Sequence, residues 1–297
     1  MMEIDLIPRI KQLFENGENI IEFLKRIEGR SSNTIEDILI SYDFQSGSYV
    51  KFTQENPTFN TNYTTAIAKV FYQLGDFNSI LEAGVGEATT LGNLSSKLNN
   101  NQLKLLGFDI SWSRVHCGLN YLVQLGGHAD LFVADLFNIP LNDSSIDIVY
   151  TSHSIEPNGG REKDALKELY RVAKKYLVLL EPTDEFASEE GKNRMKKYGY
   201  VQNLIKVIAE LNYNLIEYRP FDISANPLNP TGLYIIKKED SLVDNNNDVD
   251  FCCPISKDKL EEFEDHFFSK ESFISYPKIM GIPCLYPSYG ILTSKHD

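Results

Sequence analysis

Between residues 79 and 237 the chain alternates short apolar runs with longer amphipathic segments, and this alternation restricts the fold more than any other feature. NSILEAG, KLLGFDI (104–110), the run within ADLFVADLF, IDIVYTSH (146–153) and KYLVLLEP read as strands. The segment after NSILEAG, then SRVHCGLNYLVQLG, EKDALKELYRVA and RMKKYGYVQNLIKVIAELNY, read as helices. Strands alternating with helices predict an α/β fold whose mainly parallel sheet is covered on both faces. NLIEYRPFDI and GLYIIKK are separated only by a Pro/Asn-rich loop. They are expected to complete seven strands as an antiparallel hairpin at one sheet edge.

The flanks differ in character. Residues 1–40 read as helical, with Ile4, Ile7, Ile10, Leu13 and Phe14 spaced for one buried face and Asn33 or Thr34 capping a helix through Ile40. An aromatic, polar stretch follows, and the helical pattern returns over 62–75. DSLVDNNNDVD (240–250) is an acidic linker, and a tail rich in Pro and aromatic residues comes after it. Three units are therefore expected: a helical cover over 1–60, a central domain over 61–240 and a small appendage over 250–297.

Composition narrows the function classes. With 42% hydrophobic residues the chain can bury a sizeable core. No apolar run approaches the roughly 20 residues of a membrane span, and the first residues lack a secretion-signal pattern. The four cysteines form no disulfide framework, so a cytoplasmic location with reduced thiols is expected. The net charge of −13 argues against a general nucleic-acid binder, whose affinity comes largely from phosphate contacts.

The turn LEAGVGEATTL ends the first strand and opens a helix. Glycines at that place let the backbone approach a ligand closely, outside the carboxyl ends of the strands. A dinucleotide site favours G-x-G-x-x-G, but Thr89 stands at the third glycine position. Glu82 would repel a pyrophosphate and would attract a cationic amino-acid group. Asp109, with Ile110 beside it, ends the second strand, where a carboxylate can accept from ribose hydroxyls. Asp135, followed by Leu136 and Phe137, can meet an adenine amino group and ring.

These motifs, together with GFDIS, VADLFNIPLNDSSIDIVYTSHSIEP and ALKELYRVAKKYLVLLEP, resemble the class I S-adenosylmethionine-dependent methyltransferases of small-molecule type over residues 60–240. The resemblance implies a Rossmann-like sheet and S-adenosylmethionine as cofactor. It implies that Glu82, Gly84 and Gly86 hold the methionine end, Asp109 the ribose and Asp135 the adenine. The stretch with Tyr42, Phe44, Gln45, Tyr49 and Tyr63 resembles the N-terminal cover of that family, and Tyr49 is a candidate cofactor contact.

Methyl transfer is an in-line displacement that gains much of its rate from orientation. A base is needed only when the acceptor must lose a proton. His153 and Glu156, just past the fourth strand, are the candidate catalytic pair. His153 titrates in the right range for a base, and a His there can also act purely by positioning. Glu156 can orient it or cap the helix over 161–172. Glu181-Pro182 points to the same rim. Arg194, Lys196 and Lys197 form a basic cluster that either receives an anion or faces solvent.

The tail resembles a degenerate zinc-ribbon-like module. YPKIMGIP (276–283) matches its end, but CPIS has Ser256 for a second cysteine, and Ser269 and Ser272 stand where another pair would be. Cys252, Cys253, Cys284 and His266 are the remaining ligand types, yet adjacent Cys252 and Cys253 cannot easily share one tetrahedral ion. The module is therefore expected to be metal-free. The acceptor is expected to be a small molecule, a saccharide or a lipid-type group. An RNA or protein methyltransferase and a non-catalytic cofactor-binding partner protein are the alternatives, and an NAD(P) enzyme is disfavoured by Glu82 and Thr89. The sequence leaves the oligomeric state open.

Overall fold

The computed structural model describes residues 6–98, 100, 102–221, 223–239 and 249–296. Helices α1 (Ile7–Glu15), α2 (Ile20–Ile27), α3 (Ile35–Phe44), α4 (Ser48–Glu55) and α5 (Pro57–Gln73) come first. The central unit then runs β1 (Ser79–Ala83), α6 (Thr89–Ser95), β2 (Lys104–Asp109), α7 (Trp112–Gln124), β3 (Asp130–Val133) and β4 (Ile146–Ser152). It continues with α8 (Glu162–Val172), β5 (Ala173–Pro182), α9 (Glu189–Tyr198), α10 (Leu204–Glu210), β6 (Asn214–Pro220) and β7 (Thr231–Lys237).

The sheet order is β3-β2-β1-β4-β5-β7-β6, with β7 antiparallel to both β5 and β6. The expected seven strands and edge hairpin are present. Strand alternation puts Leu81, Val149 and Leu177 in one core with α8 and α10. Their neighbours Ile80, Ile148 and Val178 lie in the other core with α5, α6 and α7. The order reverses between β1 and β4, and ligands of open α/β sheets bind at such a switch point.

Residues 42–63 are mostly helical, through the end of α3, all of α4 and the start of α5 at Pro57. Two local expectations are corrected. RMKKYGYVQNLIKVIAELNY is two helices, because Gly199 takes a left-handed conformation (φ 69°) and ends α9. In α1 only Ile10 is fully buried; Ile7 and Phe14 are over a third exposed, since this nine-residue helix packs chiefly on α2. Ile4 lies outside the described residues, as does the linker over 240–248.

The cover is fastened to the central unit by carboxylates. Thr34 caps α3 in a capping box with Asp37. At the other end of α3, Asp43 accepts from Ser111 Oγ (2.7 Å), Ser113 N (3.2 Å) and Ser113 Oγ (3.0 Å) at the start of α7. Glu87, in the glycine turn, accepts from Gly47 N (3.0 Å) and Val50 N (2.7 Å) at the start of α4. A carboxylate at a helix N-terminus satisfies free N–H groups and meets the positive end of the dipole.

The tail adds β8 (Glu261–Glu262), β9 (His266–Ser269), β10 (Ile274–Ile279), β11 (Ile282–Pro283) and β12 (Ile291–Leu292) as a small antiparallel sheet. It covers the β3 edge: Leu285 N donates to Val133 O at 2.8 Å, and Cys252 N to Pro140 O at 3.0 Å. Edge strands left bare invite aggregation. Lys257 of the tail joins Glu168 (2.9 Å), which also receives Arg171 (2.8 Å), while Arg171 donates to the carbonyls of Ile139 and Leu141. Burial works against the Glu168 carboxylate, but these two cations hold its pKa below the usual value. Arg171→Ala leaves Glu168 with Lys257 as its one remaining cation and removes the donors to the Ile139 and Leu141 carbonyls, so it should cost about 3 kcal/mol of unfolding free energy in a urea titration. An unchanged midpoint would show that the network carries no net stability.

Candidate active site

At the carboxyl ends of β1, β2, β4 and β5 lie two cavities, of about 630 and 120 Å3. Both are bordered by Gly84, Arg114, Ser152 and His153. Gly84 has φ 75°, and a Cβ there would lie 2.2 Å from Ser154 Cβ. Glycine is required on both counts.

Glu82 is 2% exposed and lines the larger cavity. Tyr150 donates its hydroxyl to Glu82 at 2.7 Å, yet burial dominates and pushes the Glu82 pKa up to about 8. Asp109 accepts from Gly86 N and Ser111 N, both at 3.0 Å, and so ties the glycine turn to β2. It lines the smaller cavity with Ile110, Asp135 and Leu136. Asp135 accepts from Phe137 N (3.1 Å) and Asn138 Nδ2 (2.8 Å), and burial raises its pKa. The candidates expected from the sequence thus come together in one cleft. Gly86 borders it through Arg114, whose guanidinium lies 2.3 Å from where a Gly86 Cβ would be.

Arg114 went unnoticed in the sequence. It is 9% exposed, 3.6 Å from Asp109, and its guanidinium lies over the rings of Tyr42 (5.0 Å) and Tyr49 (4.7 Å). The cover therefore reaches the cleft through these two tyrosines, with Tyr49 half-exposed at the mouth. Tyr63 and Ser152 share a hydrogen bond of 2.8 Å on the floor.

His153 sits at φ 57°, an uncommon conformation for a non-glycine residue. Its Nδ1 faces Glu156 Oε2 at 2.7 Å and its Nε2 faces Thr231 Oγ1 at 2.8 Å. Asn229 Nδ2 also donates to Glu156 Oε2, at 3.2 Å. Burial disfavours the imidazolium, but Glu156 and then Glu181 outweigh it, so the His153 pKa is raised. Glu156 does not cap α8, whose N-cap Arg161 makes no side-chain cap bond. Glu181 is fully buried and accepts from the backbone N–H of Ser154, Ile155 and Glu156, which fixes the turn carrying the pair. Burial pushes its pKa up to about 7.

In the tail, Cys252, Cys253, Cys284 and His266 are not gathered: among the described residues no three His, Cys, Asp or Glu side chains group to hold a metal ion. Cys284 donates to Ile282 O at the β3 edge, and His266 pairs with His296 at 2.7 Å. Ser256, Ser269 and Ser272 do meet near Cys253. Asp258 accepts from Ser256 and Ser269, Ser272 donates to Ser269 at 2.6 Å, and Ser256 N donates to Cys253 Sγ at 3.5 Å.

No helix among the described residues is long and apolar enough to cross a membrane. Residues 80–176 match the family described as Methyltransferase domain. No curated protein matches this chain. A solved S-adenosylmethionine-dependent methyltransferase from Methanosarcina mazei is 16% identical, with a TM-score of 0.50 over 58% of this chain and 98% of that one. Magnesium protoporphyrin IX methyltransferase from Synechocystis PCC 6803, solved with bound S-adenosylhomocysteine, is 14% identical, with a TM-score of 0.47 over 78% and 99% of the two chains. Residues 80–176 include Glu82, Asp109, Asp135, His153 and Glu156. Residues 80–176 thus carry a methyltransferase domain, set in a Rossmann-like, mostly parallel α/β sheet.

Proposed function

We propose that this chain transfers a methyl group from S-adenosylmethionine to a small-molecule acceptor held in the larger cavity. One observation carries the reading: Glu82, Gly84, His153, Glu156 and Asn229 all line the same 630 Å3 cavity. A cofactor in the cleft and an acceptor beside it would share that space. The acidic balance of the chain and the aromatic cover favour a compact acceptor over a polynucleotide. The units over 1–60, 61–240 and 250–297 then act as lid, catalytic domain and a structural cap on the β3 edge.

The residues present fit the cofactor. Glu82 is an acceptor for its ammonium, Asp109 for its ribose hydroxyls and Asp135 for its adenine amino group, with Leu136 and Ile110 against the ring. Arg114 Nε is buried without a hydrogen-bond partner among the described residues and suits the cofactor carboxylate. When bound, the cofactor supplies an electrophilic methyl on a sulfonium centre. His153 orients the acceptor and receives its proton at Nε2 as the Thr231 hydroxyl turns away from that nitrogen, and Glu156 holds His153 in place through Nδ1. Tyr42 and Tyr49, carried by the cover, close the mouth and exclude water.

Isothermal titration with S-adenosylhomocysteine and with NAD tests the cofactor assignment, and labelled methyl transfer to candidate acceptors tests the rest. Binding should also release a proton. Glu82 is protonated below pH 8 in the free protein and must ionise against an ammonium. Affinity is therefore expected to rise with pH and level off above about pH 8, because the complex holds fewer protons than the free protein. Titration in buffers of different ionisation enthalpy reads the release directly. A flat profile would remove Glu82 from the ammonium site.

A further inference from the structure

Five buried side-chain polar atoms lack a hydrogen-bond partner among the described residues. Four belong to residues lining the larger cavity: Arg114, Arg194, Asn33 and Asn229. Buried polar groups in folded proteins are nearly always paired, so such a cluster marks a place where a polar ligand completes the pairing. Arg114 lies against Gly86 and belongs to the cofactor side. The other three are joined through their neighbours, Asn33 and Arg194 through Tyr198 and Asn229 through Glu156.

Their chemistry is specific. Asn33 Nδ2 donates to Pro157 O (2.9 Å) and Tyr198 O (3.2 Å), and Asn229 Nδ2 donates to Glu156. These bonds settle which end of each amide is oxygen, so both unpaired atoms are acceptors. Arg194, on α9, is the converse: its Nη1 is a buried donor without a partner, and it makes no ion pair among the described residues. Its guanidinium lies over the rings of Tyr198 (5.2 Å) and Tyr200 (5.4 Å). The nearby carboxylates are engaged elsewhere, Glu22 with Lys197 and Glu156 with His153. A guanidinium with an unpaired buried N–H donor suits an anionic oxygen.

We propose that the methyl acceptor carries an anionic group, carboxylate or phosphate, received by Arg194 between Tyr198 and Tyr200, and N–H or O–H donors that meet Asn33 and Asn229. This rests on the methyltransferase reading of the same cavity and adds the acceptor's chemical class. Of the two fates the sequence allowed for the basic cluster, Arg194 takes the first, and Lys197 turns to Glu22.

The test uses the full chain saturated with S-adenosylhomocysteine. Benzoate, phenyl phosphate and benzamide are titrated by calorimetry, the aromatic ring being chosen for the two tyrosine walls. One or both anions should bind, and benzamide should bind at least about tenfold more weakly, the effect of losing a charge-assisted hydrogen bond. The better anion tells carboxylate from phosphate. Arg194→Gln should weaken the anion by a similar factor, Arg194→Lys by less, and neither should change affinity for S-adenosylhomocysteine. Equal binding of benzamide, no binding of either anion, or an unchanged affinity in Arg194→Gln would overturn the proposal alone. Failure of the wild-type chain to bind S-adenosylhomocysteine would overturn the underlying reading and this proposal with it.

Discussion

Asp109→Ala is expected to weaken binding of S-adenosylhomocysteine about a hundredfold or more, read by isothermal titration. A carboxylate that accepts from ribose hydroxyls makes charge-assisted hydrogen bonds worth about 1.5–3 kcal/mol each, and two of them exceed a hundredfold. The same side chain shapes the site beforehand through its bonds to Gly86 N and Ser111 N. Its loss also leaves the Arg114 guanidinium buried without its ion-pair partner. Breaking a buried pair from one side costs about 3–5 kcal/mol, so the melting temperature should fall as well. The double variant Asp109→Ala/Arg114→Met separates the two effects. It should recover stability, since no charge is stranded, and should still bind S-adenosylhomocysteine poorly. A folded Asp109→Ala protein with unchanged affinity would take Asp109 out of the ribose site.

The parts legible in the sequence are those set by local pattern and by position on a strand. Strand-helix alternation fixed the sheet type, and the closeness of the last two strands gave the β6–β7 hairpin. Glu82, Asp109, Asp135 and His153 were legible because each stands just at the end of an apolar run, where this architecture opens its cleft. What the pattern hid depends on contacts between distant residues. Arg114 reads as one more polar residue of an amphipathic helix, and only the approach of Tyr42 and Tyr49 makes it part of the cleft. Asp43 and Glu87 lie 70 and 40 residues from Ser113 and Gly47, the farther of the groups that they bind. Glu181 reads as a strand end that points to the cleft rim, whereas it is fully buried and its carboxylate holds the His153–Glu156 turn through three backbone N–H groups. A sequence signal did exist for the break between α9 and α10, since Gly199 comes just after a turn carrying Lys196 and Lys197, the usual dress of a helix C-terminus. In the tail the resemblance to a degenerate zinc-ribbon-like module finds no support in a gathered ligand set among the described residues, and three serines and Asp258 bond to one another there.

The midpoint of His153 titration, followed by NMR of the histidine ring protons and assigned from its absence in His153→Gln, should lie above pH 6.5. Burial alone would push it the other way, and the Glu156 carboxylate at 2.7 Å reverses the sign. A carboxylate only accepts, so Nδ1 carries the proton and Nε2 of the neutral ring accepts from the Thr231 hydroxyl. Glu156→Gln should move the midpoint down, because burial is then opposed only by the charge of Glu181. The sign for stability follows from the raised value. The imidazolium–carboxylate pair contributes fully below pH 6.5, where His153 is charged in both folded and unfolded chains, and this contribution is lost as pH climbs through the higher folded midpoint. The stability gap between wild type and Glu156→Gln should therefore be widest in acid, about 2 kcal/mol for a charged hydrogen bond, and should shrink above the folded midpoint. Catalysis runs in the opposite sense, since a base must be neutral to take a proton. The acid limb of kcat/KM should share the His153 midpoint and shift down with it in Glu156→Gln, while His153→Gln should cost about two orders of magnitude. If the limb stays fixed while the NMR midpoint moves, His153 positions the acceptor without taking its proton. If the wild-type midpoint lies at or below pH 6.5, Glu156 does not hold the ring in its charged form at all.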